Sequence, residues 1–220
     1  LSVEGHGGMP FCRWPRQSRP SRAIPCRRQE AACTRPPPLF GRPGPKRSGG
    51  WRPGGYFVSR CKAGREAVAT HVPELRRRLG LDFVALCGEN AAHGIGINDK
   101  IVAEFFAAGV DVVTLGNHAW DQREVIPFIQ RESRLIRPVN YPAGTPGNGF
   151  IVYSLRDGRK ILVVNAMARL FMDPLDDPFA MMQSLVEKYP LGRSVQASFL
   201  DFHGEASSEK MAMAHYLDGR

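Results

Sequence analysis

No stretch of this sequence approaches the ~18 consecutive apolar residues of a membrane-crossing helix, which excludes a helical span. The N-terminus also lacks the apolar core of a secretory signal. The five cysteines form no C-x-x-C pair and no zinc-ligand spacing, which excludes the common structural zinc and dithiol redox patterns. Cys12, Cys26, Cys33 and Cys61 lie scattered, and Cys87 falls inside an apolar run as a small core residue. Nothing in the cysteines argues for an oxidising compartment, so a cytoplasmic location is expected. Gly94-Ile95-Gly96 lacks the third glycine of a dinucleotide fingerprint, where Asp99 stands, and no strand leads straight into it. The segment reads as a turn before a helix. There are no internal repeats.

Acidic residues are scarce in one region only. Residues 1–62 hold 13 Lys+Arg against 2 Asp+Glu, a net charge of +11, while residues 63–220 carry a net −2. The overall +9 therefore marks a segment and not the whole molecule. The same segment holds ten of the 18 prolines, including Arg35-Pro36-Pro37-Pro38 and Gly41-Arg42-Pro43-Gly44-Pro45. With so few aliphatic runs it cannot bury enough apolar surface to offset its ordering entropy, and disorder is expected. Four readings fit residues 1–62: a plain disordered extension, a nucleic-acid-binding arm, a transit peptide, and the product of an out-of-frame start. The Pro content argues against the amphipathic helix of a transit peptide. GC-rich codons read in the wrong frame yield the Arg, Pro and Gly that dominate here.

From residue 63 an ordered alternation begins. Val68, Val72, Leu75 and Leu79 predict a helix over 63–79, with Pro73 expected to kink or split it. Phe83–Cys87 reads as a buried strand. Residues 99–108 read as a helix capped by Asn98 or Asp99 and stopped by Gly109, and 110–115 as a second strand. Asp121 can cap a helix over 122–130, and 135–149 reads as loop. Residues 150–155 and 160–165 form a hairpin across Arg156-Asp157-Gly158-Arg159, a type I′ turn signal. A helix to about Tyr189, a strand over 195–202 and a helix over 205–217 complete the pattern. Alternating strands and helices predict an α/β sheet with covered faces. The first helix lacks a convincing preceding strand, for which Tyr56-Phe57-Val58 is a poor substitute.

Three strand ends carry polar tips: Gly88-Glu89-Asn90, Gly116-Asn117-His118 and Asp201-Phe202-His203. Sites in open α/β sheets form at the carboxyl ends of strands. A carboxylate, an amide and imidazoles on one rim are hard and borderline donors suited to divalent metal ions. Each residue taken alone is more often a turn, loop or cap residue than a ligand. His71 and His215 read as surface or packing residues, His93 as a loop residue with a place facing the site as the alternative, Asp121 as a cap, and Arg169, Asp173, Asp176 and Asp177 as a surface turn with a pocket wall as the alternative.

Gly88-Glu89-Asn90-Ala91-Ala92, Thr114-Leu115-Gly116-Asn117-His118-Ala119-Trp120-Asp121, Arg137-Pro138-Val139-Asn140-Tyr141-Pro142 with Gly144-Thr145-Pro146-Gly147, and Asp201-Phe202-His203-Gly204-Glu205-Ala206-Ser207-Ser208-Glu209-Lys210 occur in order. With Tyr216-Leu217-Asp218-Gly219-Arg220 they make residues 63–220 similar to the bacterial YmdB-like calcineurin-type metallophosphoesterases. That resemblance implies a four-layer α/β sandwich, two divalent metal ions (Fe, Mn or Zn) and hydrolysis of small phosphodiesters, including cyclic nucleotides. By position, Glu89 resembles the carboxylate bridging the metals, and Asn117 and His203 resemble ligands of one of them. His118 resembles the histidine assisting at the phosphate and leaving group, and Asn90 a phosphate contact.

The family's first strand ends in Gly-Asp, whose Asp holds a metal; the matching stretch Phe57-Val58-Ser59-Arg60-Cys61-Lys62 offers no carboxylate. The family's later Gly-Thr-His-Thr-His segment has no counterpart before Arg220. The expectation is therefore an incomplete four-layer α/β sandwich over 63–220, lacking the first strand, with doubtful metal occupancy and weak or no activity. The rival readings are a non-catalytic remnant and nucleic-acid binding through the basic arm, although nucleic acid is not the expected partner. A homo-oligomer stays open, and no membrane partner is expected.

Overall fold

The computed structural model describes residues 55–220. The extension read over 1–62 thus lies outside the described residues as far as 54. Residues 55–62 do not belong to it: they enter the sheet and the first helix. Gly55–Val58 (β1) pairs in parallel with Val84–Cys87 (β2), Tyr56 opposite Ala85 and Val58 opposite Cys87. The first strand, expected to be missing, is present. It works as an edge strand because its two aromatic side chains find opposite faces. Phe57 packs toward the helices and Tyr56 toward the second sheet.

β2 pairs in parallel with Val112–Thr114 (β3), and β3 with Leu135–Ile136 (β4), giving the order β1-β2-β3-β4. β4 lies within the stretch read as loop; two residues carry too little pattern to register as a strand. Parallel neighbours require crossovers, supplied by Lys62–Leu79 (α1) and Asp99–Ala107 (α2). α1 runs through Pro73 as one helix, with Pro73 exposed. It ends at Gly80, whose φ of 60° provides the left-handed cap. Asn98 caps α2 by accepting the Ile101 N–H at 3.0 Å. The helix expected over 122–130 is shorter, a 3-10 turn Arg123–Val125 followed by Ile126–Ile129 (α3).

The second sheet holds Phe150–Ser154 (β5), Lys160–Met167 (β6) and Ala197–His203 (β7), with β5 antiparallel and β7 parallel to β6. The hairpin turn is not type I′. The Gly158 N–H reaches the Leu155 carbonyl, and of the loop residues only Gly158 has positive φ, at 85°. That is a type I turn followed by a left-handed residue, the three-residue hairpin. Pro178–Lys188 (α4), capped by Asp177, and Ser207–Leu217 (α5) cover the outer face.

Alternation along the strands builds four layers. Val84, Leu86, Val113 and Leu135 face α1 and α2. Ala85, Val112 and Ile136 face Ile161 and Val163 between the sheets. Leu162, Val164 and Ala166 turn outward against Met182, Leu185 and Met213 of α4 and α5. Asp111 pins three layers together. Its carboxylate takes Arg76 Nη1 from α1 at 2.7 Å, the Val84 N–H at 2.8 Å and the Tyr153 hydroxyl from the second sheet at 2.9 Å.

Candidate functional site

Register decides which strand tips meet. Cys87 is opposite Thr114 in the first sheet, so the tips carrying Glu89 and Asn117 leave it together, and the contacts of His203 with both bring the end of β7 to the same rim. Glu89 is only 3% exposed, and its carboxylate is the hub. Oε2 lies 3.3 Å from His203 Nδ1 and accepts from Asn90 Nδ2 at 3.4 Å, while Oε1 accepts the His118 N–H at 3.3 Å. Asn117 Oδ1 lies 3.0 Å from His203 Nε2, and Asn117 Nδ2 lies 3.2 Å from His118 Nε2. All five candidate residues are therefore brought into one hydrogen-bonded cluster.

Gly116 makes the convergence possible. A Cβ at this position would lie 2.5 Å from Glu89 Oε1 and 2.8 Å from His203 Cε1, closer than atoms pack. The missing side chain is the space the carboxylate and the imidazole share.

Asp121 does not cap a helix. The N-cap of the following turn is Gln122, and Asp121 Oδ2 instead lies 2.6 Å from His118 Nδ1. With Nδ1–H donated to Asp121, Nε2 presents its lone pair to the Asn117 amide, which fixes one tautomer. The i,i+3 spacing of His118 and Asp121 is the sequence signal for this pair, and it competes with the cap reading of Asp121 wherever a helix follows.

Asp201 stands apart from the rim cluster. It takes the Thr114 hydroxyl at 2.5 Å and belongs to a network with Tyr56 and Cys87 between the sheets. Burial raises the Asp201 carboxyl above its ordinary range, against the pull of the Thr114 and Tyr56 hydrogen bonds. Burial, reinforced by the charge of Asp201, also raises the Tyr56 phenol and pushes the Cys87 thiol up to about 12. Cys87 is thus an unreactive buried thiol at neutral pH. His71, His93 and His215 are exposed and belong to no site contact, and Arg169, Asp173, Asp176 and Asp177 lie on an exposed loop. Asn140, quoted in a motif without a role, ties that loop down by donating to the Met167 and Asp176 carbonyls at 2.8 and 3.0 Å.

The donor set fits one divalent ion: a carboxylate, an amide oxygen and an imidazole around a Cβ-less cradle. It does not amount to a cage for two. Among the described residues no group of three or more His, Cys, Asp or Glu side chains is arranged to hold a metal. At the tip of β1, Ser59 is 1% exposed and its Oγ has no hydrogen-bond partner. No described helix is long and apolar enough to cross a membrane.

Comparison with known proteins places this geometry. The chain is 42% identical over 157 residues to a 2′,3′-cyclic-nucleotide 2′-phosphodiesterase of Bacillus subtilis, covering 71% of this chain and 58% of that protein. It is 30% identical over 164 residues to a putative phosphatase/phosphodiesterase of Mycoplasma genitalium, covering 72% and 57%. The chain therefore spans under three fifths of the length of these relatives. Among solved structures, a hypothetical protein from Thermus thermophilus matches with a TM-score of 0.68 and 44% identity, covering 74% of this chain and 63% of that one. A novel phosphatase of Mycoplasma pneumoniae matches with a TM-score of 0.67 and 28% identity, covering 74% and 60%. Residues 60–220 match the model of the family described as YmdB-like protein, and the chain belongs to that family of metallophosphoesterases.

Proposed function

We propose that this site hydrolyses small phosphodiesters, cyclic nucleotides among them, with divalent metal ions. The observation that carries the reading is the meeting of Glu89, Asn117 and His203 around Gly116. The activity named for the Bacillus subtilis relative supports the substrate class. Glu89, Asn117 and His203 would hold one ion of the Fe, Mn or Zn class. The two oxygens of Glu89 suit it to bridge to a second ion, whose remaining donors these three residues do not supply. When bound, such ions offset phosphate charge and lower the pKa of a bound water.

The chain's own groups supply the rest. Asn90, whose side-chain amide donates to Glu89, is assigned the phosphate contact, which its second N–H would make. In its imidazolium form, with Nδ1–H held by Asp121, His118 is placed to give its Nε2 proton to the leaving oxygen. Buried Glu89 provides the negative charge that draws a cation to the cradle. The tip of β1 offers Ser59 and Arg60 and no carboxylate, so turnover is expected to be low.

The test is hydrolysis of bis(p-nitrophenyl) phosphate by the purified chain with added Mn²⁺, alongside metal content. The expected result is metal-dependent turnover. It should be lost with the metal in Glu89→Ala and fall by about 10²–10⁴-fold in His118→Ala with metal retained. Turnover indifferent to both substitutions would sink the assignment.

A further inference from the structure

His203 reaches the donor cluster from the second sheet, so something must set the gap between the sheets at that level. Within its own sheet the end of β7 is well tied. Met167 of β6 stands opposite His203, and the Ala168 N–H bonds the His203 carbonyl at 2.8 Å. Glu209 on α5, the helix after β7, accepts the Arg169 and Leu170 N–H groups at 2.8 and 3.0 Å. Toward the first sheet, β7 makes its bonds through side chains. Phe199, Asp201 and His203 alternate along β7 and share the face that looks at that sheet. Phe199 ends in an apolar layer, its ring 5.6 Å from that of Tyr56 and 6.3 Å from that of Phe83. His203 ends in the donor cluster. Asp201 lies between the two levels. It accepts the Thr114 hydroxyl of β3 at 2.5 Å and the Tyr56 hydroxyl of the edge strand β1. One carboxylate thus joins β7 to two strands of the first sheet, one level below the cluster.

A carboxylate between two sheets is a poor device for stability. Its desolvation is costly, and replacing such a group together with its partners by apolar side chains of similar shape is often neutral or stabilising. What it adds is a fixed length. Hydroxyl-to-carboxylate hydrogen bonds are short and narrowly distributed, whereas packed apolar groups can slide past one another. Gly116 and Asn117 place the His203 ring locally. The strand that carries the ring needs a restraint of its own, and Asp201 is on that strand, two residues away and on the same face.

We propose that Asp201 is a positioning residue: by bonding Thr114 and Tyr56 it holds the end of β7 at the distance from which His203 meets Glu89 and Asn117. Its effect on metal binding rests on the reading of those three residues as donors. Its effect on the order of the metal-free His203 ring does not.

Two measurements on the full chain separate these effects: Mn²⁺ affinity by calorimetry, and the NMR signals of the His203 ring without metal. The main variant combines Tyr56→Phe, Thr114→Val and Asp201→Leu, which strands no hydroxyl donor. Its Tm should hold, while Mn²⁺ binds about tenfold more weakly, the scale on which supporting groups tune a metal site. The single position of its His203 ring should give way to several. Thr114→Val alone should shift both readouts the same way by less, and it decides the matter if the triple variant does not fold. Asp201→Asn keeps an oxygen for both hydroxyls and should bind Mn²⁺ nearly as wild type does. Val112→Ala, one level deeper on the same face of β3, should lower Tm and leave Mn²⁺ affinity unchanged. Wild-type affinity and ring order in the triple variant, or in Thr114→Val where that is the variant that folds, overturn the proposal. An Asp201→Asn variant as weak as the triple one overturns it too, since charge and not the bonds would then be the cause. So does Val112→Ala losing as much affinity, since any loosening of the core would then act alike. Wild-type chain that takes up no Mn²⁺, with ring order still dependent on Asp201, overturns the metal reading alone.

Discussion

The two sheets differ in how deeply they are covered, and the candidate site straddles the difference. In the first sheet every residue of β2, β3 and β4 is buried, because helices cover one face and the second sheet covers the other. In the second sheet only the central strand is buried, over seven of its eight residues, while β5 and β7 are half-buried along most of their length. Glu89 and Asn117 come from the first kind of strand, His203 from the second. The position of His203 against Glu89 is therefore set less by strand burial than by the shared space at Gly116 and the bonds through Asn117.

The contrast breaks or holds most visibly in core truncations. Leu86→Ala in β2 removes a fully buried side chain facing the helices and should cost about 2–5 kcal/mol. Val152→Ala in β5 removes a half-buried one and should cost less than about 1.5 kcal/mol. Urea denaturation of both variants measures the gap. Equal losses would show that the second sheet is packed as firmly as the first.

Gly116→Ala probes the seam itself. The backbone there is not left-handed, so an added methyl acts only through the atoms it meets. Overpacking should cost about 1–3 kcal/mol. The Glu89 carboxylate and His203 ring cannot both stay, so metal uptake should fall further than stability does. A variant that keeps full metal uptake would mean that the two side chains have room the structure does not show.

The legible parts of the fold were those with repeated pattern. The alternation of faces along β6, with Leu162, Val164 and Ala166 against the helices and Ile161 and Val163 against the first sheet, and the strand-then-polar-tip signature of β2 and β3 reflect layers that bury opposite faces. β1 was unreadable because an edge strand of four residues, led by a glycine, needs only two well-placed rings. β4 is shorter still, and its hydrogen bonds come from its neighbour and not from its own pattern. In the site, Glu89, Asn117 and His203 were visible as strand-end donors, but their mutual distances come from register and from Gly116. Asp121 was visible and misassigned: spacing shows that two residues can touch, not which of two partners the carboxylate takes. Glu209 had no signal, since its partners are backbone N–H groups some 40 residues away.

The smallest expected change in stability is also the sharpest test of the seam. Val58 ends β1 opposite Cys87, on the face that carries Tyr56 toward the second sheet, and is 48% exposed. An exposed valine there contributes little burial, so Val58→Asp should shift stability by less than about 1 kcal/mol. The new carboxylate would stand at the rim two residues along from the level of Glu89, on the strand where the family resemblance expects an acidic ligand. Each added anionic ligand strengthens a divalent site, and the reach of aspartate from an edge strand is short enough to hold it in place. Mn²⁺ affinity by calorimetry should therefore rise about tenfold, on the scale by which single supporting groups tune metal sites. The double variant Val58→Asp, Glu89→Ala should lose that gain, because a carboxylate on the first sheet has no partner without the one that faces His203. A gain that survives the loss of Glu89 would place the added ion somewhere other than the seam.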